Sequence, residues 1–191
     1  MEQVKALRDE WGVIALRGNH DQMFVDAMLN DEDGLWLNNG AYQTIESYCG
    51  IDFFEEGFTW DSYEMAKKFI IDNFRQHIGF LKSLPLYHET DEHIFVHAGI
   101  NPLCEDWRKQ SEHDFIWIRD IFFSNPTTNT DKTVIFGHTP TLHLHETEDI
   151  WFSPHGDKIA VDGACAYGYQ LNCLEIGEGG YRTYSVGKGE K

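Results

Sequence analysis

Short apolar runs recur along this chain, and three of them lead straight into a glycine-bearing turn that also holds a histidine. Val13 to Leu16 runs into Gly18-Asn19-His20-Asp21, Ile94 to Val96 into His97-Ala98-Gly99, and Thr133 to Phe136 into Gly137-His138-Thr139-Pro140. Apolar runs this short, bounded by turn residues, read as strands buried on both faces. Helical spacing lies between them. Val4 and Leu7 are apolar among charges over residues 3–10, and Gly12 stops that pattern. Met23, Phe24, Ala27 and Met28 make one apolar stripe after the first turn, with Asp21 where an N-cap would stand. Residues 31–40 read as turns, while 41–49 and roughly 61–84 read as helix, the latter ended by Pro85. Residues 111–123 carry Phe115, Ile118 and Phe122 on one side, which predicts a further helix, followed by a polar loop over 126–132.

The last forty residues change period. Ile150 to Ser153, Lys158 to Val161, Gln170 to Ile176 and Tyr181 to Val186 are rich in strand formers and separated by Gly, Pro and Asp turns. No repeat, linker or low-complexity tract interrupts the chain. The expectation is one α/β domain over residues 1–191.

Composition narrows the function. At 41% hydrophobic and 25% charged residues, the chain has the makings of a packed core. Its formal net charge is −17, from 32 acids against 15 Lys and Arg, with no basic cluster. That argues against a nucleic-acid backbone or an anionic membrane surface as partner. A phosphate ester stays open as substrate, because a bound metal ion supplies positive charge that the side chains do not. Cys49, Cys104, Cys165 and Cys173 are scattered with no CxxC pair, unlike a disulfide scaffold or zinc finger. With no secretory signal and no apolar run of membrane-spanning length, the cytoplasm is the expected compartment.

The chemistry gathers in the three turns. Strands packed in one sheet bring the loops at their carboxyl ends together, although those loops are far apart in sequence. Imidazole nitrogens with an amide oxygen suit a divalent transition metal such as Mn, Fe or Zn. A lone histidine at a strand end is ordinary; three such turns in this order are not. His143 and His145 alternate with Leu142 and Leu144 on an expected strand and read as exposed-face residues. His77, His88, His93, His113 and His155 have no supporting context.

The order of the turns resembles the calcineurin-like metallophosphoesterases, which carry GNHD or GNHE, then a His-Ala/Gly-Gly, then a Gly-His. Trp36-Leu37-Asn38-Asn39-Gly40 with Thr44 and Ser47-Tyr48, Phe115-Ile116-Trp117-Ile118-Arg119, and Asp162-Gly163-Ala164 with Gly168 and Leu171 extend the resemblance. They point to one branch, the bacterial serine/threonine phosphatases of the PPP family. The resemblance implies a β-sandwich flanked by helices. It implies Asn19, His97 and His138 as metal ligands, His20 as general acid and Arg119 as phosphate clamp, with Mn2+ the foremost metal. It implies in-line attack of metal-activated water on the phosphorus of a phosphoprotein. Asp162 reads as a structural strand-end residue.

The family's two earlier motifs, GDxHG and GDxxDRG, have no counterpart before Gly18. The chain is therefore expected to lack half of a two-metal site, to hold at most one ion, and to be inactive alone. It is also expected to expose unpaired edges and to self-associate. Two other functions share these motifs: a symmetrical diadenosine tetraphosphate hydrolase or another phosphoesterase, and a non-catalytic module that binds metal or a partner.

Overall fold

The computed structural model describes residues 1–187 and Gly189. The backbone forms two compact units, residues 1–85 and 86–191. The first is all helical: α1 (Glu2–Trp11), α2 (Asn19–Asn30), α3 (Asp33–Leu37), α4 (Ala41–Cys49), α5 (Trp60–Asn73) and α6 (Arg75–Ser83). Its interior is built from the expected stripe of α2, with Met23, Phe24, Ala27 and Met28 at 4% exposure or less. Trp36, Ile45, Tyr63 and Ile70 are as well buried. Phe24 meets Trp36 edge-on and stacks on Tyr48. Beside this interior, buried Lys67 bonds Asp31 and Asp33, each at 2.9 Å, and Asp33 also accepts from the Tyr63 hydroxyl.

Several sequence readings need correction here. Val13 to Leu16 is not a strand: the segment is irregular, and Val13 and Ile14 are 42% and 51% exposed. A strand exists only by pairing, and among the described residues none forms a ladder with this segment. The stretch 31–40 holds the short helix α3, which carries the buried Trp36. The run 61–84 is two helices broken at Phe74. α1 forms as expected, closed by Gly12 in the left-handed region, but buries none of its residues.

The second unit is a sheet with flanking helices. Its elements are β1 (Tyr87–Glu89), β2 (His93–Val96), α7 (Glu112–Trp117), α8 (Asp120–Phe123), β3 (Thr133–Phe136), β4 (Trp151–Phe152), β5 (Lys158–Ala160), β6 (Gln170–Gly177) and β7 (Gly180–Gly187). Five strands run in the order β1-β2-β3-β5-β4, with β2, β3 and β5 parallel at the centre. On one face Ile94, Val96, Val134, Phe136 and Ala160 pack with Trp107, Phe115, Ile118 and Phe122. On the other, Ile135, Ile150 and Ile159 receive Leu174 of the β6–β7 hairpin, which makes the second layer. The α/β class read from the sequence is the one observed. β1 is too short and too little patterned to have been legible. His143 lies in a 3-10 turn over Thr141–His143 and His145 just beyond it, so neither is on a strand.

One buried ion pair links two turns of this unit. Asp157 accepts from the Lys158 ammonium at 2.5 Å, the Ser153 hydroxyl at 2.6 Å and the Thr127 N–H at 2.7 Å. Burial pushes its carboxyl upward, but the Lys158, Ser153 and Thr127 bonds outweigh burial and hold it well below the usual carboxylate range. The folded value lies below the unfolded one. The stabilisation is therefore present above the unfolded pKa, near 4, and drains away as pH falls below it. Asp157→Asn is expected to cost about 3 kcal/mol at neutral pH, since Lys158 is 2% exposed and loses its counter-charge. Thermal melts from neutral to acid pH check this: the gap between wild type and Asp157→Asn should close as the pH falls.

Candidate active site

β2 and β3 are adjacent and parallel, with Val96 opposite Phe136. The residues that follow them therefore leave the sheet side by side at its carboxyl edge. The Gly137 N–H donates to the His97 carbonyl at 2.9 Å and ties the two turns together. Nε2 of His97 then lies 3.3 Å from Nδ1 of His138. His138 is held at φ 64, in the left-handed region that costs a residue with a Cβ about 1–2 kcal/mol. Strain kept in a turn beside converging polar groups is a mark of a working site. The Trp117 and His138 rings meet in a T-shaped pair, 5.7 Å between centroids and 87° between planes.

Arg119 reaches the same turn, though not from within a helix as read from the sequence. α7 ends at Trp117 and α8 begins at Asp120, so Arg119 sits in the break. Phe115, Ile116, Ile118 and Phe122 are all buried. On a straight helix they would spread over roughly 160°; with the break at Ile118–Arg119 all four are buried. Arg119 is thereby turned so that Nη1 donates to the Thr139 hydroxyl at 3.2 Å and the His138 carbonyl at 3.4 Å. Thr139, 1% exposed, is a site residue the sequence reading passed over. Its place next to His138 was the available signal. Asp162 does what was expected of it, closing a turn by accepting from the Ala164 N–H at 2.9 Å.

In the first unit, Asn19 and His20 open α2, Asn19 buried at 4% and His20 exposed. Asp21 is not the N-cap. Gly18 holds that position, and the Asp21 carboxylate, three residues on, accepts from the Gly18 N–H at 2.8 Å. Burial raises the Asp21 carboxyl above its ordinary value, against the lowering effect of that bond and of His20 and Arg17.

The imidazole pair allows a test of metal fit. Two nitrogens each ~2.05 Å from one tetrahedral ion lie roughly 3.3 Å apart. His97 and His138 match two adjacent ligand positions of one ion. Among the described residues no group of three or more His, Cys, Asp or Glu converges as a metal site would require. The fit is that of a partial site. Nor is any helix among these residues long and apolar enough to cross a membrane.

No family model matches the chain. Its sequence is 24% identical over 172 residues to serine/threonine-protein phosphatase 1 of Salmonella typhimurium strain LT2, covering 89% of this chain and 68% of that protein. The chain is similar in sequence to this bacterial serine/threonine phosphatase, a protein of the PPP and calcineurin-like metallophosphoesterase kind. A crystal structure assigned as a diadenosine tetraphosphatase shares the fold of this chain. Its TM-score is 0.53 at 16% identity, over 94% of this chain and 70% of that one. The PPP-branch resemblance and the phosphoesterase reading drawn from the motifs stand with these matches. Enzymes of this kind depend on a metal ion.

Proposed function

We propose that this chain carries metal- and phosphate-binding residues of a phosphoester hydrolase that acts on phosphorylated serine and threonine side chains. The observation that supports this reading most is the meeting of His97 and His138 at 3.3 Å with Arg119 bonded to the same turn. His97 and His138 would hold the ion, and manganese is the ion we favour. When bound, that ion supplies a Lewis acid and an acidified water. The bonds from Nη1 orient the Arg119 guanidinium, whose Nε and Nη2 edge suits two phosphoryl oxygens at once. We place the protein in the cytoplasm.

Dinucleoside polyphosphate is the second reading, favoured by the crystal structure assigned as a diadenosine tetraphosphatase. The test is to equilibrate the chain with Mn2+, count bound ions, and measure displacement of vanadate by a phosphoserine peptide and by diadenosine tetraphosphate. One ion per chain, no turnover, and tighter binding of the phosphopeptide are expected. Preference for the dinucleotide would move the substrate to the second reading. An ion bound with neither ligand would leave a non-catalytic metal-binding module. Two ions with turnover would overturn the partial site.

A further inference from the structure

The turn that carries His97 is held at several points. The His97 carbonyl accepts from the Gly137 N–H and the Ala98 N–H donates to the Phe115 carbonyl, each at 2.9 Å. The β2–β3 ladder ends at Val96, so the buried residues that follow, Gly99 and Ile100, need other partners for their backbone groups. Gln110 supplies two bonds there. Its Nε2 donates to the Gly99 carbonyl at 3.1 Å, and its Oε1 accepts from the Asn101 N–H at 2.6 Å. Gln110 is 9% exposed and directly follows the 3-10 turn Trp107–Lys109, which is anchored by the buried Trp107.

That pair of bonds requires a carboxamide. The Gly99 carbonyl and the Asn101 N–H flank Ile100 and present an acceptor and a donor together, as a strand presents them to its neighbour. An amide answers both, a carboxylate offers only acceptors, and a thioether cannot donate at all. Gly99 is where such a clamp matters most. Glycine turns more freely than any other residue, and this one is kept at φ 153 with its backbone against the Phe122 ring. Ala98 alone separates it from His97.

We infer that Gln110 is a positioning residue for His97: its carboxamide locks Gly99, and through Gly99 the turn from which the His97 imidazole faces His138. With the turn locked, the two rings stand 5.0 Å apart between centroids, with Nε2 of His97 3.3 Å from Nδ1 of His138. Without the clamp, the Gly99 carbonyl and the Asn101 N–H must find other partners or stay unsatisfied at a cost. Gly99 then rotates to meet them, and the His97 ring moves with the turn. Gln110 acts through the backbone rather than on an ion. The inference rests on the reading of His97 and His138 as metal ligands.

NMR of the metal-free whole chain and isothermal titration with Mn2+ test it together. The wild type is expected to show NOEs between the His97 and His138 rings and slow exchange of the Asn101 N–H. Gln110→Met keeps the length of the side chain and removes both bonds. It should lose the ring-to-ring NOEs, keep those between β2 and β3, and bind Mn2+ roughly tenfold more weakly, the lower end for a residue behind a metal ligand. Gln110→Glu keeps the bond to Asn101 but sets a carboxylate oxygen against the Gly99 carbonyl, and should weaken Mn2+ binding too. Ile150→Ala, which loosens the opposite face of the sheet, should bind Mn2+ as the wild type does, and this separates positioning from a general loss of stability. A folded Gln110→Met or Gln110→Glu that keeps the ring NOEs overturns the inference. So does a wild type whose Asn101 N–H exchanges as fast as an open loop. A wild type that binds no Mn2+ overturns the metal reading instead, and the ring NOEs of the metal-free protein still decide whether Gln110 positions His97.

Discussion

Manganese binding is expected to fall by roughly a hundredfold or more when His138 becomes glycine, since even the outer partners of metal ligands are worth ten- to a hundredfold. The same substitution should leave the melting temperature unchanged or raised. His138 is held at φ 64, where a Cβ costs energy and glycine fits freely. Opposite signs in two measurements separate a ligand from a packing residue. A histidine kept only for its ring contacts with Trp117 and His97 would lose stability and leave ion binding alone. Isothermal titration with Mn2+ alongside thermal melts reads both. His97→Ala should lose the ion as well, without the compensating relief of strain. If both variants bind Mn2+ as the wild type does, the imidazole pair is not a metal site.

The largest loss of stability from a small change is expected at Gly99. Its φ is 153, and a Cβ built there would lie 2.3 Å from Cδ1 of Phe122 and 2.7 Å from Cγ. Phe122 cannot step aside. It is fully buried, edge-on to Phe136 at 4.9 Å, with the Lys158 ammonium 5.3 Å above its ring. Gly99→Ala should cost about 3 kcal/mol or more, the upper range for forcing atoms into a packed core. For a chain of this length that is roughly 6–12 °C in melting temperature. Adding Phe122→Leu should recover part of the loss, because the two positions share one space and their effects are not additive. Gly99 also closes the turn that begins at His97, so the single variant should bind Mn2+ more weakly. A Gly99→Ala protein that melts like the wild type would show that the close approach to Phe122 is not obligatory.

Both predictions concern residues that stood out in the sequence, for reasons the sequence only half contained. Gly99 was legible as part of a histidine-bearing turn. Its real partner, Phe122, sits 23 positions further on, and only packing reveals it. His138 was legible as a candidate ligand; its left-handed backbone was not. Arg119 was read as a candidate phosphate clamp on a helix. The helix breaks beside it, between Trp117 and Asp120, a break that the apolar spacing did not show. Thr139 stood in the Gly-His-Thr turn without a role until Arg119 was seen to bond it.

The errors have one cause. Val13 to Leu16 has the apolar run of a buried strand, yet strand formation depends on a partner ladder that periodicity does not supply. His143 and His145 alternate with leucines as strand residues do, and a 3-10 turn claims that stretch instead.

By itself, the sequence determined the alternation of helix and strand periods, the three histidine turns in order, and the acidic charge that disfavours polyanionic partners. These are local properties, written in neighbouring residues. Tertiary structure decided which strands pair, and hence that the parallel neighbours β2 and β3 set His97 and His138 3.3 Å apart. Pairing and packing join residues tens of positions apart, and their energies depend on partners that no local pattern encodes.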